Sequence, residues 1–147
     1  MQPRVTTSTL IKMKKEGKKI AALTAYDFPF AGYLDKAGID IVLVGDSLGM
    51  VVQGKENTLS VVLEGIPSPI STRITQALNI PTIGIGAGPG CDGQILVLHD
   101  MLGINDRFLP KFVKKYADIA QIATQGLASY IKEVKEGTFP SDAYEYK

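Results

Sequence analysis

Long apolar runs are missing from this chain. None reaches the roughly 18 residues that a membrane-spanning helix needs. The opening stretch MQPRVTTSTLIKMKKEGKK lacks the apolar centre of a secretory leader. Charge of one sign is not in excess either: the formal net charge is +1, so neither a basic face for nucleic acid nor an acidic tail is expected. Cys91 is the single cysteine, which leaves no intrachain disulfide and no need for an oxidising compartment. His99 is the single histidine, so no Cys/His cluster of the zinc-binding kind exists. These absences lead to the expectation of a cytoplasmic protein without membrane or nucleic-acid partners.

What is present fits one folded domain spanning residues 1–147. Apolar residues make up 45% and charged residues 21%, enough to bury a core. The most informative stretch is Ile39–Gly49, IDIVLVGDSLG. Its first six residues are apolar except Asp40 and mostly β-branched, and read as a parallel strand buried on both faces. Asp46 and Ser47 follow directly, at the C-terminal end of that strand, where α/β proteins place their chemistry. Capping of a following turn would explain the same two residues.

Around it the pattern is strand, helix, strand. Thr7 or Ser8 can cap a first helix that stops at Gly17, with its lysines (12, 14, 15, 18 and 19) forming a solvated face. Ile20–Tyr26 reads as a strand. Asp27 caps a helix over Phe28–Ala37, with Pro29 in its first turn and Gly38 at its end. After Ile39–Val44 the period breaks. Leu48–Ser60 suggests a hairpin rather than a crossover helix, and Val61-Val62-Leu63 then leads into Glu64. Ser68 caps a helix over Pro69–Leu78, and Pro81–Gly86 forms a fourth strand whose alternate glycines imply a close approach. Asp92 caps a helix over Gly93–Leu102. Phe108–Lys115 is a basic-aromatic segment, and Asp118–Glu136 is the strongest helix by spacing.

Three candidates for chemistry emerge. Asp27, Asp46 and Glu64 each follow an apolar strand, so parallel strands would bring them to one sheet edge. Carboxylates there suit Mg²⁺ or general-base work. Capping accounts for Asp27 well and for Glu64 poorly, because Ser68 already caps the next helix. GIGAGPG ahead of a helix suggests a phosphate cradle, or simply a barrel-corner turn. It is neither a dinucleotide fingerprint nor a P-loop. His99 in mid-helix and Cys91 in a loop are expected to be structural.

The words themselves resemble a family. TAYDFPFAGYLDKAGIDIVLVGDSLGMVVQGKENTLSV is similar to the N-terminal part of ketopantoate hydroxymethyltransferases. VVLEGIP, RITQAL, PTIGIGAGPGCDGQILVLHDMLG and PKFVKKYAD are similar to the C-terminal part. Residues 1–61 correspond to the first part and 61–147 to the second. The resemblance implies an α/β fold of the (β/α)₈ TIM-barrel type. It also implies transfer of a hydroxymethyl group from 5,10-methylenetetrahydrofolate to 3-methyl-2-oxobutanoate, through a Mg²⁺-stabilised enolate, in pantothenate biosynthesis. By motif, Asp46 matches the metal ligand, Asp46 and Ser47 the substrate-binding pair, and Glu64 the proton-abstracting base. A full barrel takes about 250 residues, so the resemblance implies a half-barrel-like form with four parallel strands, expected to be a homo-oligomer. With the missing strands go a second metal-binding aspartate, a substrate-binding lysine and a further glutamate. A catalytically impaired domain with an assembly role is the alternative.

Overall fold

The computed structural model describes residues 5–44, 60–105 and 108–146. The elements in order are α1 (Thr7–Lys15), β1 (Ile20–Thr24), α2 (Phe28–Ala37), β2 (Ile41–Leu43), β3 (Val61–Glu64), α3 (Ser68–Ala77), β4 (Thr82–Ile85), β5 (Gly93–Leu96), α4 (Leu98–Met101) and α5 (Ile119–Glu136). Two compact units comprise them: residues 1–98 with 110–113, and residues 99–109 with 114–147.

The first unit is built on a parallel sheet in the order β2-β1-β5-β4-β3. Among the described residues the sheet has five strands rather than the four expected, and it is open, with β2 and β3 at its edges. The additional strand, β5, occupies the place where a helix over Gly93–Leu102 is expected. Gly93 explains why. It lies in register with Ile20 of β1 and with Ile83 of β4. A methyl group on it would stand 2.6 Å from the Ile20 carbonyl oxygen and 2.7 Å from Ile83 Cδ1. This glycine lets two strands close on β5 from both sides. Asp92 therefore caps no helix.

Register and alternation place Ile20, Ala22, Ile41, Ile83, Ile85 and Ile95 on one face. Leu10 and Met13 of α1 pack against this cluster. Burying a side chain as completely as Ile20 contributes about 1.5–3 kcal/mol. On the other face Leu63 packs with Ala87, Cys91 and Ile74 of α3. Cys91 is fully buried and belongs to this core. The strand β2 departs from expectation: as an edge strand it leaves Val42 and Leu43 exposed rather than buried on both faces.

The helix ends follow their chemistry. The Asp27 carboxylate accepts the Phe30 N–H at 2.9 Å, and Gly38 closes α2 in the left-handed region at φ 80°. At α1 the cap is Thr6, one residue before those expected, in a reciprocal arrangement with Thr9. At α3 the cap position is Pro67 and Ser68 is already helical. The Ser68 carbonyl instead accepts from Ser71 and Thr72.

Two lysines of α1 and its exit are not solvated as expected. Lys14 Nζ donates to the Asp92 carboxylate at 2.7 Å and to the Thr75 carbonyl at 3.2 Å. Lys19 Nζ donates to the carbonyls of Pro89 and Cys91. They tie α1 to the loop entering β5, at the N-terminal edge of the sheet.

In the second unit α5 is capped by Asp118 and ends at Gly137, φ 70°. Tyr130, Phe139 and Tyr144 form a ring cluster beside its last turns. Among the described residues no helix is long and apolar enough to cross a membrane. The expected hairpin at Leu48–Ser60, together with Asp46 and Ser47, falls outside the described residues except for Ser60.

Candidate active site

Because all five strands run parallel, their last residues share one edge: Thr24, Leu43, Glu64, Ile85 and Leu96. Backbone bonds tie that edge together. The Ala25 N–H donates to the Leu43 carbonyl at 3.1 Å, and the Gly65 N–H donates to that of Ile85 at 2.9 Å. The buried Thr24 hydroxyl accepts the Leu98 N–H at 3.1 Å, anchoring the exit of β5 to the end of β1.

Glu64 ends β3 in register with Ile85. It lies on the sheet face that carries Ile83 and Ile85, and it is exposed. Among the described residues its carboxylate makes no ion pair. An exposed carboxylate at this edge is available as a base. Asp27 is not, because its carboxylate is engaged at the start of α2. Of the three expected carboxylates, then, the structure assigns one to capping and one to the open edge, while Asp46 lies outside the described residues.

Strand order adds a constraint that spacing alone does not reveal. Asp46 stands three residues beyond the end of β2, and β2 and β3 are opposite edges of the sheet. Four strand spacings of about 4.8 Å separate them, roughly 19 Å along the sheet. The ends of β2 and β3 come closer only if the sheet curves.

The glycine loop after β4 does not hold a phosphate in the expected way. A strand follows it, not a helix, so no helix N-terminus faces the loop. Its carbonyls are engaged: Ala87 accepts from Ser71, Gly88 from Gln94, and Pro89 and Cys91 from Lys19. These bonds fix the shape of the turn. His99 lies inside the short helix α4, three residues after the end of β5, and is half-buried. Asp92 is a perturbed acid of the first unit, largely buried beside Lys14. Burial works against its ionisation, but the Lys14 ammonium and the Thr82 N–H and hydroxyl outweigh burial. They hold its carboxyl below the ordinary value of 3.8. A surface depression of about 710 Å³ is lined by α3 alone, by Ile70, Arg73, Ile74, Gln76 and Ala77, and offers no carboxylate or histidine.

A sequence profile of ketopantoate hydroxymethyltransferases matches the chain in two pieces, residues 4–62 and 58–142. The chain belongs to the ketopantoate hydroxymethyltransferase family. A 3-methyl-2-oxobutanoate hydroxymethyltransferase from Desulforapulum autotrophicum is 39% identical, aligned over 263 positions that take in the whole of both chains. Proteins of the same name from Trichlorobacter lovleyi and Thermoanaerobacter sp. are 29% and 33% identical over 99% of this chain and 100% and 97% of their own. Relatives in this enzyme family are thus named for hydroxymethyl transfer.

The two-piece match locates the joint. Its pieces meet at residues 58–62, between β2 and β3. Those strands are the two edges of the sheet. An alignment of 263 positions against 147 residues leaves a stretch of the relative without counterpart here. Removing consecutive strands from a closed ring leaves an open sheet whose edges flank the cut, which is the topology observed. Five strands are found among the described residues, one more than the four expected.

Proposed function

We propose that this chain carries the acceptor half of a ketopantoate hydroxymethyltransferase site. The substrate is 3-methyl-2-oxobutanoate and the donor of the one-carbon unit is 5,10-methylenetetrahydrofolate. The observation that carries the reading is Glu64, an exposed carboxylate at the C-terminal sheet edge in a segment matched to the family. Glu64 takes the proton from C3 of the oxo acid, the carbon next to its carbonyl. Asp46 and Ser47, just beyond β2, bind the oxo acid's polar end.

Mg²⁺ suits the donors available. It takes one or two carboxylates and fills its remaining positions with substrate oxygens and water. Among the described residues no three acidic, histidine or cysteine side chains converge, and Glu64 is the only edge carboxylate not used for capping. Asp46 would hold the ion. When bound, the ion supplies positive charge beside the carbonyl oxygen, which lowers the barrier to loss of the C3 proton. The reading is tested by turnover of 3-methyl-2-oxobutanoate by the purified chain with methylenetetrahydrofolate and Mg²⁺; ketopantoate formation that is lost in Asp46→Ala supports it.

A second reading, an assembly domain without turnover, has a specific observation in its favour: β2 and β3 are the opposite edges of an open sheet. Both readings share a proposal about assembly. Among the described residues the outer sides of β2 and β3 have no strand partner, and Val42, Leu43 and Val62 are exposed there. All strands run the same way, so the β2 edge of one copy matches the β3 edge of another. We therefore propose a homo-oligomer acting in the cytoplasm on small molecules, with no nucleic-acid or membrane partner.

A further inference from the structure

We propose that Phe112 is a specificity residue of this site, packing against the branched apolar end of the oxo acid. The inference rests on the reading of Glu64 given above. Residues 110–113 are the one piece of the chain after residue 98 that belongs with the sheet unit. Within that piece the Phe112 ring lies on Gly86, the residue that follows β4. A methyl group on Gly86 would stand 2.6 Å from Phe112 Cδ1 and 2.9 Å from Cγ. The glycine, at φ 61°, is what allows the ring to sit there.

This seat is at the functional edge of the sheet. Gly86 follows Ile85, which is in register with Glu64 and accepts the Gly65 N–H. The ring's support is thus one strand spacing, about 4.8 Å, and one residue from the proposed base. Phe112 is 39% exposed, so much of the ring is open to a ligand. The ring thus offers a partly open apolar surface at the end of the strand that pairs with that of Glu64.

The chemistry of the substrate matches that surface. The carbon that loses its proton, C3, carries two methyl groups. Any arrangement that brings C3 to Glu64 brings the methyls against whatever borders that carboxylate. An apolar ring there both holds the methyls and directs the C3–H bond toward Glu64. It also distinguishes 3-methyl-2-oxobutanoate from 2-oxopropanoate, which lacks them.

Binding of both oxo acids, with Mg²⁺ present, is followed by ligand-observed saturation-transfer NMR in the full chain and in Phe112→Ala and Phe112→Leu. Losing the ring from two methyl groups should weaken 3-methyl-2-oxobutanoate by about tenfold in Phe112→Ala. Binding of 2-oxopropanoate should stay within about twofold, and Phe112→Leu should recover most of the loss, since an apolar side chain remains. Unchanged binding of 2-oxopropanoate also shows that the variant has kept its fold. If both oxo acids bind the parent, and the substitutions weaken both equally or neither, the role of Phe112 is overturned while the reading of Glu64 stands. If neither binds the parent chain, the functional reading fails and this inference fails with it.

Discussion

Lys14 and Asp92 meet at 2.7 Å across 78 residues of sequence, joining the N-terminal helix to the turn that enters β5. Neither side chain is more than 16% exposed. The same Asp92 oxygen accepts the Thr82 N–H at 2.9 Å and the Thr82 hydroxyl at 3.1 Å. Thr82 in turn shares a 2.8 Å bond with Thr75 of α3. One carboxylate oxygen thus fastens α1 and the starts of β4 and β5, and Thr82 extends the link to α3.

The first prediction is a pH dependence of stability. The Asp92 carboxyl is held below its ordinary value in the folded chain, so the folded state binds fewer protons than the unfolded one on falling pH. Its stabilisation is complete above the ordinary value of 3.8 and is lost as pH drops through the folded one. Lys14→Met leaves the carboxylate without its ammonium and should lower stability at pH 7 by about 2–4 kcal/mol. It should also flatten the acid limb. Denaturant titrations of both chains between pH 3 and 7 read this out; an unchanged acid limb in Lys14→Met would assign the pH dependence elsewhere.

The second prediction concerns Gly93. A methyl there meets backbone on one side and Ile83 on the other, so β1 or β4 must move. Gly93→Ala should lower stability by about 1–3 kcal/mol, the usual range for overpacking. Gly32, which faces open space in α2, is the control, and Gly32→Ala should instead be neutral or stabilising by about 1 kcal/mol or less. Thermal melts of the two variants test the contrast.

How far the sequence carried the reading differs from element to element. Asp27, Pro29 and Gly38 mark α2 with local signals, and all three act within a few residues of where they stand. Asp118 and Gly137 do the same for α5. The strand β5 was illegible for the opposite reason. Gly-Gln-Ile-Leu ahead of Val-Leu-His-Asp-Met reads equally well as helix, and what decides is Gly93 lying between Ile20 and Ile83, residues far away in sequence. The same holds for Lys14 and Lys19, whose partners lie more than 60 residues off. At the site, Glu64 could be found because a carboxylate at a strand end is a local pattern. Phe112 could not, since only the return of residues 110–113 to the sheet places it on Gly86. The break in the strand–helix sequence pattern after Val44 was the one long-range feature readable in advance, and the two-piece family match meets close behind it, at residues 58–62.

The third prediction is the mass of the particle. Pairing of the β2 and β3 edges between copies should give a particle of at least two chains of 15.8 kDa in light scattering after size exclusion. Pairing of that kind sets the Asp46 segment of one copy beside Glu64 of the next. Mixing Asp46→Ala with Glu64→Gln should then restore part of any activity that each variant lacks alone. A dilution-resistant monomer that binds no hydrophobic dye would contradict the assembly.

The central claim is that Glu64 removes a proton from C3 of 3-methyl-2-oxobutanoate. It is tested without the folate donor by following loss of the C3 proton signal in D₂O, with Mg²⁺ present. The account predicts measurable exchange by the parent chain and a fall of about 10²-fold or more in Glu64→Gln. Exchange at the parent rate in Glu64→Gln, or none in the parent chain under saturating oxo acid, would contradict it.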